Sequence, residues 1–204
     1  MHLIQYIDDK GNRAVGVTRD GQTRQLKGVS SVYALVQEAL TGIGGLPGAV
    51  EAHGLGDPID KDALSREGRL LAPIDHPDPA HLHVTGTGLT HLGSAATRDA
   101  MHKANGEKPA GELTDSMKMF RMGLENGKPA AGEKGVQPEW FYKGNGHIVV
   151  NPGQPIPSPS FALDAGEEPE IAGIYVIDAE GQPRRLGFAL GNDCLLYTSP
   201  SPRD

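Results

Sequence analysis

Cysteine is all but missing. The chain holds one, Cys194, and it falls in a C-terminal run, Cys194-Leu195-Leu196-Tyr197-Thr198-Ser199-Pro200-Ser201-Pro202-Arg203-Asp204. That run reads, residue for residue, as the translation of a transposase-type sequencing adapter, so 194–204 is set aside as adapter-derived. The genuine chain is then expected to stop at residue 193, in mid-fold, with a carboxylate there whether the intact codon reads Asp or Glu. What is left has no thiol, which excludes disulfides, a cysteine nucleophile and zinc-thiolate sites. Positive charge is also short. Nineteen Lys and Arg face 26 Asp and Glu, a net charge of -7 with no basic stripe, which speaks against a nucleic-acid partner. No apolar run reaches membrane-spanning length, and Met1-His2-Leu3-Ile4-Gln5 lacks the charged start of a secretory leader. The expectation is a cytoplasmic protein with no membrane partner. Aromatics are few, with Trp140 the single tryptophan.

What is abundant is turn-forming residues, 28 Gly and 16 Pro between short apolar runs, which points to a turn-rich α+β fold that is mostly β. Met1 to Val17 alternates as two strands joined at Asp8-Asp9-Lys10-Gly11-Asn12. Ser30 or Ser31 caps a helix through Leu40 with Val32, Leu35, Val36 and Leu40 on one face, and Gly42 stops it. Glu51 to Arg69 reads as loop with a short helix. A small N-terminal domain is drawn over 1–70 and a catalytic domain over 71–193. Leu70-Leu71-Ala72-Pro73-Ile74 leads toward a strand at His81 to Thr85. Thr114, Asp115 or Ser116 caps a helix closed by Asn126-Gly127, and the Gly-, Lys- and Glu-rich stretches around it make 95–137 a lid-like insertion. Pro138 to Lys143 resumes strand, and Gly144-Asn145-Gly146 turns into a strand over His147 to Val150. The glycines of Gly86 to Ser94 have neither dinucleotide-binding nor Walker spacing.

The chemistry-bearing pattern is Glu168-Pro169-Glu170 at the head of an apolar run that returns to Gly191-Asn192-Asp193. Ile171 to Ile177 and Arg184 to Leu190 read as the two arms of a hairpin around Asp178 to Pro183. Residues two apart on a strand share a face, so Glu168 and Glu170 point together, and a turn centred between Glu180 and Gly181 sets Asp193 opposite Glu168. Three carboxylates so placed repel unless a cation neutralises them. All-oxygen ligation selects a hard ion, Mg²⁺ or Mn²⁺ with Ca²⁺ a third candidate.

Taken in order, these pieces resemble the fumarylacetoacetate hydrolase superfamily. Leu71-Ala72-Pro73-Ile74 is similar to its lead-in and Gly88-Leu89 to the opening of its Gly-x-Asn-Tyr-x-x-His segment. Pro138-x-x-Phe141-x-Lys143 is similar to its Pro-x-x-Phe-x-Lys strand, and Glu168-x-Glu170 with Asn192-Asp193 to its metal ligands. The long insertion and Thr85 to Ser94 are closest to the GguC-type, sugar-acid-associated branch. The resemblance implies a mixed β-sheet roll with a small N-terminal domain, a homodimer when full length, and a 2-keto acid substrate undergoing C–C hydrolysis, decarboxylation or dehydration. It implies that Glu168, Glu170 and Asp193 bind the metal and that Lys143 contacts the substrate carboxylate or steadies enolate charge.

The chain departs from the family where a general base is expected. Alignment on Gly88-Leu89 puts Thr90 at the family's Asn, His91 at its Tyr and Ser94 at its catalytic His. His91 is the substitute candidate, because imidazole titrates near neutrality, and His102 could swing in with the lid. Two other readings compete. His81-Leu82-His83 suggests a cupin-type metal strand, although Thr85-Gly86-Thr87 supplies no following Glu. A non-catalytic β-rich binding or interaction module would also carry acidic strand ends.

Overall fold

The computed structural model describes residues 1–87, 96, 100, 115–127, 129–136, 140–162 and 166–195. His91, His102, Thr90, Ser94 and the tail beyond Leu195 lie outside the described residues. In chain order the elements are β1 (His2–Ile7), β2 (Arg13–Arg19), β3 (Gln22–Leu26), α1 (Val32–Thr41), α2 (Gly45–His53), β4 (Leu55–Pro58), α3 (Lys61–Arg66), β5 (His83–Thr87), α4 (Asp115–Asn126), β6 (Trp140–Asn145), β7 (Gly166–Ile177) and β8 (Pro183–Leu195), with 3-10 turns at Pro79–His81 and Gly146–Ile148. Among the described residues strand outweighs helix, in an α+β arrangement. No described helix is long and apolar enough to cross a membrane.

Contacts group the chain into two compact units, Met1–Pro77 with the segment from Val149 onward, and Asp78–Ile148. In the first unit β1 to β4 form an antiparallel sheet in sequence order. Ser31 caps α1, its hydroxyl accepting from the Ala34 amide at 3.1 Å, and Gly42 ends it. The buried face, Val32, Leu35 and Val36, packs with Val15, Val17, Leu26 and Val50. Val176 of β7 belongs to the same core and Leu186 of β8 packs against it. A division of the chain near Leu70 therefore follows composition, whereas packing ties the β7–β8 hairpin to the N-terminal sheet. Gln5 is a second tie. Wholly buried on β1, it accepts from the Val32 amide at 2.7 Å and donates to the Ala72 carbonyl at 2.8 Å, joining sheet, helix and the 69–75 strap.

Three elements run against local propensity. β3 is mostly polar, β4 ends in Asp57-Pro58, and α2 carries Gly45, Pro47 and Gly48. α2 forms because Val50, Leu46 and Ala49 seat on the core, and because Pro47 lies in the first turn, where its missing N–H costs nothing.

In the second unit β5 pairs antiparallel with β6. The strand expected at His81 to Thr85 starts instead at His83, because Asp78 caps a 3-10 turn over Pro79–His81. The strand expected over His147 to Val150 is absent: Asn145 Oδ1 accepts from the His147 amide at 3.1 Å and winds the chain into the second 3-10 turn. α4 covers Asp115–Asn126 and ends at the expected Asn126-Gly127 stop; of the three cap candidates Asp115 and Ser116 are inside the helix and Thr114 lies outside the described residues.

Candidate metal centre

The hairpin begins from one aspartate. Asp178 Oδ1 accepts from the amides of Glu180 at 3.1 Å and Gln182 at 2.7 Å, Gly181 adopts a φ of +75° that favours glycine, and Oδ2 takes the Arg184 guanidinium at 2.6 Å. Those bonds hold the Asp178 carboxyl below its usual value, the Gln182 amide contributing most. The turn is centred on Glu180, pairing Ile177 with Pro183 and Tyr175 with Arg185.

Continued unbroken, that register would set Asn192 opposite Glu168. It is not unbroken. Ile174 pairs with Gly187, so Leu186 is an extra residue in the ladder, a β-bulge, and everything beyond it moves by one. Asp193 thereby faces Glu168, and Gly191 faces Glu170. The pairing is the one expected from sequence, but it comes from a bulge and not from a turn centred between Glu180 and Gly181. Carboxylate oxygens of Glu168, Glu170 and Asp193 all lie within 4.8 Å of one another. Glu168 and Asp193 are half-buried, Asp193 Oδ2 is shielded from solvent, and Glu170 is exposed. The Glu168 amide donates to Asn192 Oδ1 at 3.1 Å, fastening the two strands beside the cluster. β8 continues past it, with Cys194 opposite Glu167 and Leu195 opposite Gly166.

The donor set is all oxygen. Two ligands on opposite sides of one ion stand about 4.2 Å apart for Mg²⁺ and about 5 Å for Ca²⁺, from bond lengths of roughly 2.1 and 2.5 Å. Oxygens that all lie within 4.8 Å of one another are close enough for one such ion to reach all three.

Lys143 belongs to the second unit, where it too is the extra residue of a bulge: Val84 pairs with Gly144 and Thr85 with Tyr142. Its half-buried side chain lays the ammonium 4.9 Å from the centroid of the Phe141 ring, a cation–π contact. Both side chains pass over Gly86; a Cβ built there would stand 2.5 Å from Lys143 Cε and 2.5 Å from the Phe141 ring. Gly86 is thus part of how the Phe141-x-Lys143 pair is seated, a role that sequence reading assigned to no residue. The signal was there, since a glycine inside a strand marks close approach. His81 and His83 do not share a strand face: His81 sits in the 3-10 turn with Nδ1 2.9 Å from Asp78 Oδ2, and His83 stacks edge-on with Tyr142. The cupin reading loses its premise.

No protein-family model, curated protein or solved structure matches the chain.

Proposed function

We propose that this protein is a divalent-metal-dependent lyase or hydrolase acting on a 2-keto acid, either a 2-keto-3-deoxy sugar acid by dehydration or a diketo acid by C–C hydrolysis. The observation that carries it is the convergence of three carboxylates from two strands within 4.8 Å. A second observation supports it. Both strand pairs that hold candidate residues are bulged, at Leu186 and at Lys143, and although β3–β4 also shifts register without holding any, a bulge is one way a side chain is re-aimed next to a site.

In this reading Glu168, Glu170 and Asp193 hold Mg²⁺ or Mn²⁺. The ion supplies fixed positive charge against negative charge developing on a substrate oxygen, an effect worth several kcal/mol. Lys143 binds the substrate carboxylate or adds to that stabilisation, its ammonium laid against the Phe141 ring in the close approach that the missing side chain of Gly86 allows. His91 moves the proton as general base. The roll-type fold, the homodimer and the cytoplasmic setting belong to the same proposal.

The test is metal binding and turnover together. Glu168→Gln and Glu170→Gln should each weaken Mn²⁺ binding, followed by electron paramagnetic resonance, by more than the roughly 10–100-fold that loss of an outer-shell partner costs, with unchanged circular dichroism. Undiminished Mn²⁺ binding in both variants, or full turnover in excess chelator, would remove the ion from the mechanism. One observation favours the binding-module reading instead: Ile171, Tyr175, Phe188 and Leu190 leave a large apolar area exposed on one hairpin.

A further inference from the structure

The apolar residues of β8 recur at every second position, Leu186, Phe188 and Leu190. An uninterrupted strand turns such residues to one face, here the face on which Leu186 and Val176 meet the core. The bulge breaks that alternation. Beyond it Phe188 pairs with Gly173 and Leu190 with Ile171, on the other face, where they are 65% and 89% exposed. The inversion that exposes them is the one that brings Asp193 to Glu168.

A ladder slipped by one residue has the opposite merits. Pairing Ile174 with Leu186, Ala172 with Phe188, Glu170 with Leu190 and Glu168 with Asn192 needs no bulge. It returns Phe188 and Leu190 to the face of Leu186 and sends Asp193 across the sheet to Glu167. The turn is common to both, because the pairs from Ile177–Pro183 to Tyr175–Arg185 do not change. Two contacts favour the bulged register, the Glu168 amide on Asn192 Oδ1 at 3.1 Å and the Arg185 guanidinium 5.4 Å from the Phe188 ring, but the arms are otherwise easily re-paired: Ala172, Gly173, Gly187, Ala189 and Gly191 are small, and nothing lies within 4 Å of a Cβ built at Gly187. Register is weakly specified in such glycine-rich strands.

We propose that β7–β8 is a two-register hairpin, in which the bulged register gathers Glu168, Glu170 and Asp193 and the slipped register disperses them. Resting on the metal reading above, a divalent ion held by the three carboxylates selects the bulged register. The bulged register exposes two large apolar side chains, and a ligand that binds only one state draws the population to it.

Nuclear magnetic resonance of the 204-residue chain, with alanine methyl groups and phenylalanine rings labelled, reads the register directly. The Ala172 methyl contacts the Ala189 methyl in the bulged register and the Phe188 ring in the slipped one. Both contacts are expected in chelator, with the Phe188 contact fading as MgCl₂ is added. Phe188→Asp, which removes the apolar gain of slipping, should show only the Ala172–Ala189 contact without ion. It should also bind Mg²⁺ more tightly, by the inverse of the bulged fraction in the parent chain. A lone Ala172–Ala189 contact in the parent chain under chelator overturns the proposal. Calorimetric Mg²⁺ binding with no change in the two contacts overturns it and leaves the metal reading standing. Both contacts with no Mg²⁺ binding support the two registers and remove the metal reading.

Discussion

The hairpins β1–β2 and β7–β8 are built on the same turn. Asp8-Asp9-Lys10-Gly11-Asn12 and Asp178-Ala179-Glu180-Gly181-Gln182 each open with an aspartate whose carboxylate accepts from the amides two and four residues on, at 2.9 and 2.8 Å in the first and 3.1 and 2.7 Å in the second. Each has its glycine at positive φ, donating to the aspartate carbonyl at 3.0 Å. Past the turn they part. β1–β2 runs in one register from Ile7–Arg13 to His2–Thr18, and Ala14 to Val17 are buried on both faces. β7–β8 shifts register three pairs from its turn, and Val176 is its single buried residue among those described. A turn fixes only the near end of a ladder. The far end is decided by what each face buries, and a hairpin with little to bury is free to be shaped for another purpose.

The comparison breaks most sharply at Gln5. Its amide is the buried partner of the Val32 N–H and the Ala72 C=O, so Gln5→Leu strands two groups at about 1–3 kcal/mol each. For a chain of this size that lowers the melting temperature by roughly 2–4 °C per kcal/mol. Leu190→Ser, on the exposed arm, should stay within about 0.5 kcal/mol of the parent. Equal melting curves for the two variants would show that the hairpins do not differ in how firmly they are held.

How much of this could be read from residues alone follows the same division. The α1 helix was legible because Ser31, the spacing of Val32, Leu35 and Val36, and Gly42 all agree. The Asp-x-x-Gly turns were legible because their chemistry is local. β3, α2 and β4 were not, since polar Gln22 to Gln25 and the Gly- and Pro-rich Gly45 to Gly48 are held by a core assembled from distant residues. Glu168, Glu170 and Asp193 were legible as a convergence, but the bulge behind it was hidden: Leu186-x-Phe188-x-Leu190 reads as an unbroken strand, and nothing in that spacing marks Leu186 as the extra residue of the ladder. The seat for Lys143 was hidden in the same way, in the close approach of two side chains to Gly86.

That seat sharpens the contrast between bulged and regular pairs. Gly86→Ala puts a methyl where Lys143 Cε and the Phe141 ring now lie, at 2.5 Å from each. Both are ends of side chains that can turn aside, so the expected cost is at the low end of the roughly 1–3 kcal/mol of overpacking. The larger effect is local, since the Lys143 ammonium leaves the Phe141 ring. Resonances of the Lys143 side chain, shifted by ring current in the parent chain, should move toward free-lysine values. Unmoved resonances would mean that Gly86 does not shape the Lys143 position.

The smallest effect expected is in acid, and it concerns the turns alone. Backbone hydrogen bonds, chiefly from the Asn12 amide to Asp8 and from the Gln182 amide to Asp178, hold both carboxyls below their usual value. A carboxyl whose folded pKa is depressed contributes stability above its unfolded value of about 3.9, and that contribution is lost as the pH falls through the folded pKa. Both carboxylates bond within their own chain reversals, Asp178 tucked under Arg184 with its side chain only 6% exposed, so the loss should be seen at the turn and not as global unfolding. Hydrogen-exchange protection of the Asn12 and Gln182 amides, corrected for intrinsic rate, should fall below about pH 3.9. Asp178→Asn should remove the acid dependence at Gln182 and leave it at Asn12. If protection at Asn12 holds in acid while protection at Gln182 is lost, the buried strands behind β1–β2, and not its aspartate, keep that turn closed, and the two hairpins differ at their near ends as well as at their far ends.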